Sequence, residues 1–178
     1  ATQQAARAAA RRMARRRIRD IAGFDKVTSS DFLEAYESLI GCFHSGGLHR
    51  GKSIVSQKSD LFKSALAGAL ELSRATPAQA FELLHTHFMG IQRAGINVLT
   101  EILHALDNKR YAVMNQNAVS GLIVAGYDQY PIQPFKTNVT PALYEQFCRD
   151  VREVQTQLEL DNFSEVDALF NYVYWLDE

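Results

Sequence analysis

Residues 89–127, MGIQRAGINVLTEILHALDNKRYAVMNQNAVSGLIVAGY, decide the fold class. From Ile96 the apolar positions Ile96, Leu99, Ile102, Leu103 and Leu106 recur at helical spacing, with Asn97, Glu101 and His104 across the wheel from them. The spacing predicts a helix with one face in the core and one in water. Asp107-Asn108 stop it, Tyr111 to Met114 read as extended, Asn115 or Asn117 caps a second helix, and Gly126 ends that one.

The same grammar extends outward on both sides. Thr28-Ser-Ser-Asp31 starts a helix that carries Phe32, Tyr36, Leu39, Ile40 and Phe43 on one face, and Gly41 with Ser45-Gly-Gly47 ends it. A helix over roughly 60–72 buries Leu61, Phe62, Ala65, Leu66, Ala69 and Leu70. Thr76-Pro-Ala-Gln79 is a full N-terminal signal: a Thr cap, a Pro at the first helical position, and a Gln that reaches back to the cap N–H. Phe81, Leu84 and Phe88 follow it. Tyr130-Pro-Ile-Gln-Pro134 cannot be helical, because each proline restricts itself and the residue before it. Thr140-Pro141 repeats the cap before Tyr144, Phe147, Val151, Val154 and Leu158, and Asn162 with Glu165 caps a last helix through Val166, Leu169, Phe170 and Val173. The expectation is an all-α chain: one compact helical domain of about seven helices over 23–178, preceded by a basic N-terminal arm over 1–22.

Composition bounds the rest. A chain of 178 residues with 47% hydrophobic and 22% charged residues has the make-up of a globular domain. It contains no apolar run of membrane-spanning length and nothing that reads as a secretory leader, so a cytoplasmic location without a membrane partner is expected. Two cysteines, Cys42 and Cys148, are too few for a disulfide framework. Net charge is −1, but it is unevenly spread: Arg7, Arg11, Arg12, Arg15, Arg16, Arg17 and Arg19 face only Asp20 within residues 1–20, while the remainder holds 12 basic and 19 acidic residues. Arginines placed all round the wheel leave no apolar stripe, so the arm is expected to fray or stay disordered on its own. Such a block suits a phosphate backbone, whose condensed counterions are released on binding. A solvated leader, self-association with the acidic body, and an Arg-rich, Ala-rich mitochondrial presequence share the same composition.

Six local patterns bear on chemistry. Gly46-Gly-Leu-His-Arg-Gly51-Lys52-Ser53 spells G-x-x-x-x-G-K-S, yet a phosphate loop needs a strand before it and a helix directly after it, and the preceding segment has helical periodicity. Cys42, His44, His85 and His87 have zinc-ligand chemistry, although His85 and His87 on one helix diverge by about 200°. Glu101 and His104, one turn apart, are expected as a surface acid–base pair without a nucleophile. Asp161, Glu165 and Asp167 read as cap and solvated face, and Tyr172, Tyr174 and Trp175 as core aromatics. Met89 to Gly95 sits where the hairpin of a helix-hairpin-helix element would, with backbone N–H groups for a phosphate, but Gln92 occupies the place of its second glycine.

The strings Leu99 to His104, Ala105 to Asn115 and Gly121 to Tyr127, with Val151 to Leu160, Val166 to Phe170 and Tyr174-Trp175, resemble a helical domain found with McrB-like restriction GTPases of bacterial defence systems. The resemblance covers about residues 60–178. It implies an accessory role in a DNA-handling assembly beside a motor or nuclease partner, and it assigns no catalytic residue, metal or cofactor. The functional expectation is therefore a non-enzymatic module that contacts DNA mainly through the seven arginines of the arm, with Arg93, Lys109 and Arg110 as further contacts. A protein–protein adaptor without nucleic-acid contact is one alternative, and a nucleotide-binding enzyme using Gly46–Ser53 is the other.

Overall fold

A computed structural model describes residues 2–25 and 28–176. Those residues form nine α-helices and one 3₁₀ turn: α1 Gln3–Ala22, α2 Ser29–Ile40, the turn Leu48–Gly51, α3 Lys52–Ser56, α4 Ser59–Glu71, α5 Pro77–Phe88, α6 Ile96–Leu106, α7 Gln116–Val124, α8 Pro141–Gln157 and α9 Phe163–Leu176. No strand occurs among them. The all-α class holds, and the two helices beyond the expected seven are α1 and the short α3.

The caps act where the sequence puts them. Thr28, Asn115 and Thr140 each accept from the N–H three residues on, and Thr76 with Gln79 forms the reciprocal capping box. Phe32, Tyr36, Phe62 and Phe88 pack as one aromatic group, with Phe32 and Tyr36 edge-on to Phe62 at 5.7 and 5.3 Å. Phe81, Tyr144 and Phe147 form a second. Gly121 is where α7 meets α9, since a Cβ there would sit 2.3 Å from Phe170 Cδ1.

Helix α6 runs through the middle, packed by α1 and α5, and nine of its eleven residues are buried. A two-faced reading of its wheel therefore fails. Glu101 and His104, expected in water, are buried. The reason lies in the extended segment 111–114, which is itself buried and has no strand partner, so its peptide groups must find side chains. His104 Nδ1 lies 2.9 Å from Tyr111 O, Tyr144 Oη donates to Ala112 O at 2.7 Å, and Met114 N donates to Thr100 Oγ1 at 2.9 Å. Thr100 and His104 on the polar side of α6 serve that segment, and Glu101 beside them serves the turn at 44–45.

Residues 3–22 form a helix packed on the core and not an unpacked arm. Ala14, Ile18 and Ile21 are buried, and α1 packs on α2, α4 and α6. The stripe continues toward the N-terminus at the same spacing through the part-buried Arg11 and Arg7 to the exposed Gln4. Gln4 Nε2 donates to Glu165 Oε1 at 2.7 Å and Arg7 Nη1 to Asp167 Oδ2 at 2.9 Å, which fastens the first helix to the last. A search for apolar positions misses this stripe because half of it is polar.

Candidate nucleic-acid interface

The seven arginines of α1 divide by position. Arg7 and Arg11 point inward, and Arg17 turns to α2, donating to Ser38 Oγ at 2.9 Å and to Asp20 Oδ2 at 3.0 Å. Arg12, Arg16 and Arg19 are exposed at i, i+4 and i+7, with the half-buried Arg15 beside them. None of these four has a carboxylate within 4 Å among the described residues. From Arg12 to Arg19 the ridge spans about 10 Å of helix.

The other basic residues are not all brought to it. Lys109 and Arg110 sit in the connector after α6, where Arg110 Nε pairs with Asp107 Oδ2 at 3.8 Å. That connector meets α1: Lys109, Arg7 and Arg11 line one cleft, of about 640 Å³, between α1, the connector and the start of α9. Arg93 is elsewhere. It is exposed at φ 70° and lies against Gly51, where an added Cβ would approach its own Cβ to 2.5 Å.

Behind the cleft is a polar node that the sequence did not announce. Glu101 Oε2 accepts from His44 N at 2.7 Å and Ser45 N at 3.0 Å, so α6 holds the turn that follows α2. Burial, and then the nearby Asp167 charge, push the Glu101 carboxyl up to about 7, against the pull of those N–H groups. A cavity of about 20 Å³ separates Glu101 and His104 from Arg7 and Arg11. Since Tyr111 O can only accept, His104 Nδ1 carries the proton, and Nε2, 2.9 Å from Ser164 Oγ, accepts from that hydroxyl. Ser164 also accepts from Asn108 Nδ2 at 2.9 Å.

A serine donating to a histidine is the geometry of an activated nucleophile, but burial holds the His104 ring below its ordinary value. The ring is a weakened base, and the contact serves to tether α9 to α6. Ser164 and Asn108 were missed in the sequence because they lie 60 and 56 residues from their partners in the chain.

The remaining patterns are explained by packing. Gly46–Ser53 follows a helix, not a strand, and winds into the 3₁₀ turn and α3. Gly47 takes φ 74°, Gly51 admits Arg93, and Lys52 pairs with Glu37. His85 Nε2 lies 2.7 Å from Lys136 O and His87 Nδ1 2.8 Å from Leu83 O, whereas Cys42 Sγ donates to Ser38 O at 3.3 Å. Among the described residues Cys42, His44, His85 and His87 do not converge on a metal geometry. Asp167 is buried rather than a solvated face, and Tyr172 and Trp175 are exposed rather than core.

Comparison with protein-family models, curated proteins and solved structures finds no match to this chain.

Proposed function

We propose that this chain is a non-catalytic helical module that contacts the phosphate backbone of nucleic acid through the outward ridge of α1, formed by Arg12, Arg15, Arg16 and Arg19. The observation that carries this reading is the ridge itself: four guanidinium groups on a helix that packing holds in place, without carboxylate partners among the described residues. A ridge already ordered loses less conformational entropy on binding than a free arm would. The acid excess of residues 21–178 repels phosphates from the remaining surface and so orients the approach. The resemblance to the accessory domain of McrB-like restriction GTPases is the ground for placing the module in a DNA-handling assembly with a motor or nuclease partner. Titration of the protein into labelled duplex and single-stranded DNA at low salt tests the reading. Binding that Arg12/Arg16/Arg19→Gln weakens at least tenfold supports it, and the absence of binding to either form sinks it.

A second reading, a protein–protein adaptor, has its own observation. Tyr172, Trp175 and Leu176 at the end of α9 are 64, 66 and 63% exposed, an unusual state for large apolar side chains clustered at helical spacing. If DNA binding fails while Trp175→Ala abolishes capture by a purified motor or nuclease partner, the adaptor reading replaces the first.

A further inference from the structure

The cleft beside the ridge has a feature that nothing in the fold requires. Arg11 lines both the 20 Å³ cavity and the 640 Å³ cleft, and its Nε is fully buried with no hydrogen-bond partner among the described residues. A buried donor left unpaired is costly, and native structures seldom keep one without a use. Burial lowers the Arg11 pKa and the charge of Arg15 lowers it further, with Asp107 acting the other way.

The neighbouring carboxylates are turned away. Asp167 meets Arg7 through Oδ2 and does not line the cleft. Both oxygens of Glu165 are engaged, one by Gln4 Nε2 and one by Asp161 N, each at 2.7 Å. Asp107 accepts from Lys109 N at 3.0 Å and faces Arg110 at 3.8 Å. What remains on the cleft wall is Arg11, which makes no hydrogen bond among the described residues, and the exposed Lys109, beside Asn108, whose Nδ2 donates to Ser164 Oγ, and Asn162, whose Oδ1 accepts from Glu165 N. The volume lies within the range of about 300–1,000 Å³ typical of small-ligand sites.

We infer that this cleft binds a terminal phosphate monoester, carried by a free mononucleotide or by the 5′ end of a nucleic-acid strand, with Arg11 as its principal contact and Lys109 at its rim. A phosphate monoester carries nearly two negative charges and three acceptor oxygens, enough to engage the Arg11 fork and the Lys109 ammonium together. A carboxylate offers two oxygens and fewer directions. The site is separate from the ridge, which meets internal backbone phosphates whatever the strand ends in.

The test uses three probes on the whole chain: adenosine 5′-monophosphate, adenosine, and one oligonucleotide prepared with either a 5′-phosphate or a 5′-hydroxyl. Addition of the monophosphate, but not of adenosine, should move the Arg11 Nε–H resonance. The 5′-phosphorylated strand should bind more tightly than its hydroxyl twin by roughly ten- to hundred-fold, the size of a charge-assisted hydrogen bond. Arg11→Gln should remove both effects, and Arg149→Gln, an exposed change on α8, should remove neither. Lys109→Ala gives the same readout from an exposed position if Arg11→Gln does not fold. If no strand binds, the ridge reading fails and the mononucleotide still decides this one. An Arg11 resonance unmoved by millimolar monophosphate overturns the inference, as does equal weakening by Arg149→Gln.

Discussion

Arg7 Nη1 meets Asp167 Oδ2 at 2.9 Å with 13 and 6% of the two side chains exposed, so a buried ion pair joins α1 to α9. Asp167 Oδ1 has no partner among the described residues. The pair thus holds its geometry through one strong contact.

Removing one partner of that pair should be severe. Arg7→Ala leaves a buried carboxylate without its cation, and such losses run at about 3–5 kcal/mol. Arg7→Met with Asp167→Leu, which discards both charges, should recover most of that. Urea unfolding of the single and double variants measures it, and a double variant as unstable as the single one would mean the charges are not the cause.

Ile18→Ala and Arg16→Gln separate the inner and outer faces of α1. The first opens a cavity at a fully buried position and should destabilise by about 2–4 kcal/mol, whereas the second, on the exposed ridge, should stay within about 0.5 kcal/mol. Equal, small effects at the two positions would show that α1 does not pack as described.

These two helices mark what was legible in the sequence. Helices α2, α5, α7, α8 and α9 carry cap signals and α4 and α6 an apolar stripe alone, and in each the local signal coincides with burial. In α1 the stripe was present at positions 4, 7, 11, 14, 18 and 21, but Gln and Arg fill its first half, and their partners on α9 are about 160 residues away. In α6 the periodicity separates the two faces but not their surroundings: Thr100, Glu101 and His104 are polar because the buried segment 111–114 and the turn at 44–45 need partners. Burial of a polar face cannot be read from periodicity when the group that satisfies it lies outside the helix. The ridge arginines were all among the expected contacts, but the helix that presents them was not foreseen.

Glu101 should make stability depend on pH. Its folded carboxyl, at about 7, lies above the ordinary value, so its contribution to stability is complete below about pH 4 and is lost as pH rises to about 7. His104, held low by burial, acts in the opposite sense, and its contribution is complete only above about pH 6.5. Glu101→Gln removes the first effect alone. The stability of the variant relative to the wild type should therefore rise between about pH 5 and 7 and be flat above that, as followed by urea unfolding across pH. A difference constant across the range would contradict the assignment. Glu101→Ala, which strands the His44 and Ser45 N–H groups, should cost about 1–3 kcal/mol below about pH 5 and less as pH rises to about 7, because it removes the same titration.

Lys52 closes a partly exposed pair with Glu37 and lies on no phosphate-loop geometry. Lys52→Ala should lower stability by about 1 kcal/mol or less and leave nucleic-acid affinity unchanged. Magnesium-dependent nucleotide binding abolished by that change would restore the enzyme alternative.

The most direct test of the ridge is the salt dependence of duplex DNA binding. Each arginine that neutralises a phosphate contributes about 0.9 to the slope of log affinity against log salt concentration. Arg12/Arg16/Arg19→Gln should therefore flatten the wild-type slope by about 2–3 while leaving the unfolding midpoint near its wild-type value. An unchanged slope would place recognition elsewhere on the protein and contradict the ridge as its phosphate-binding surface.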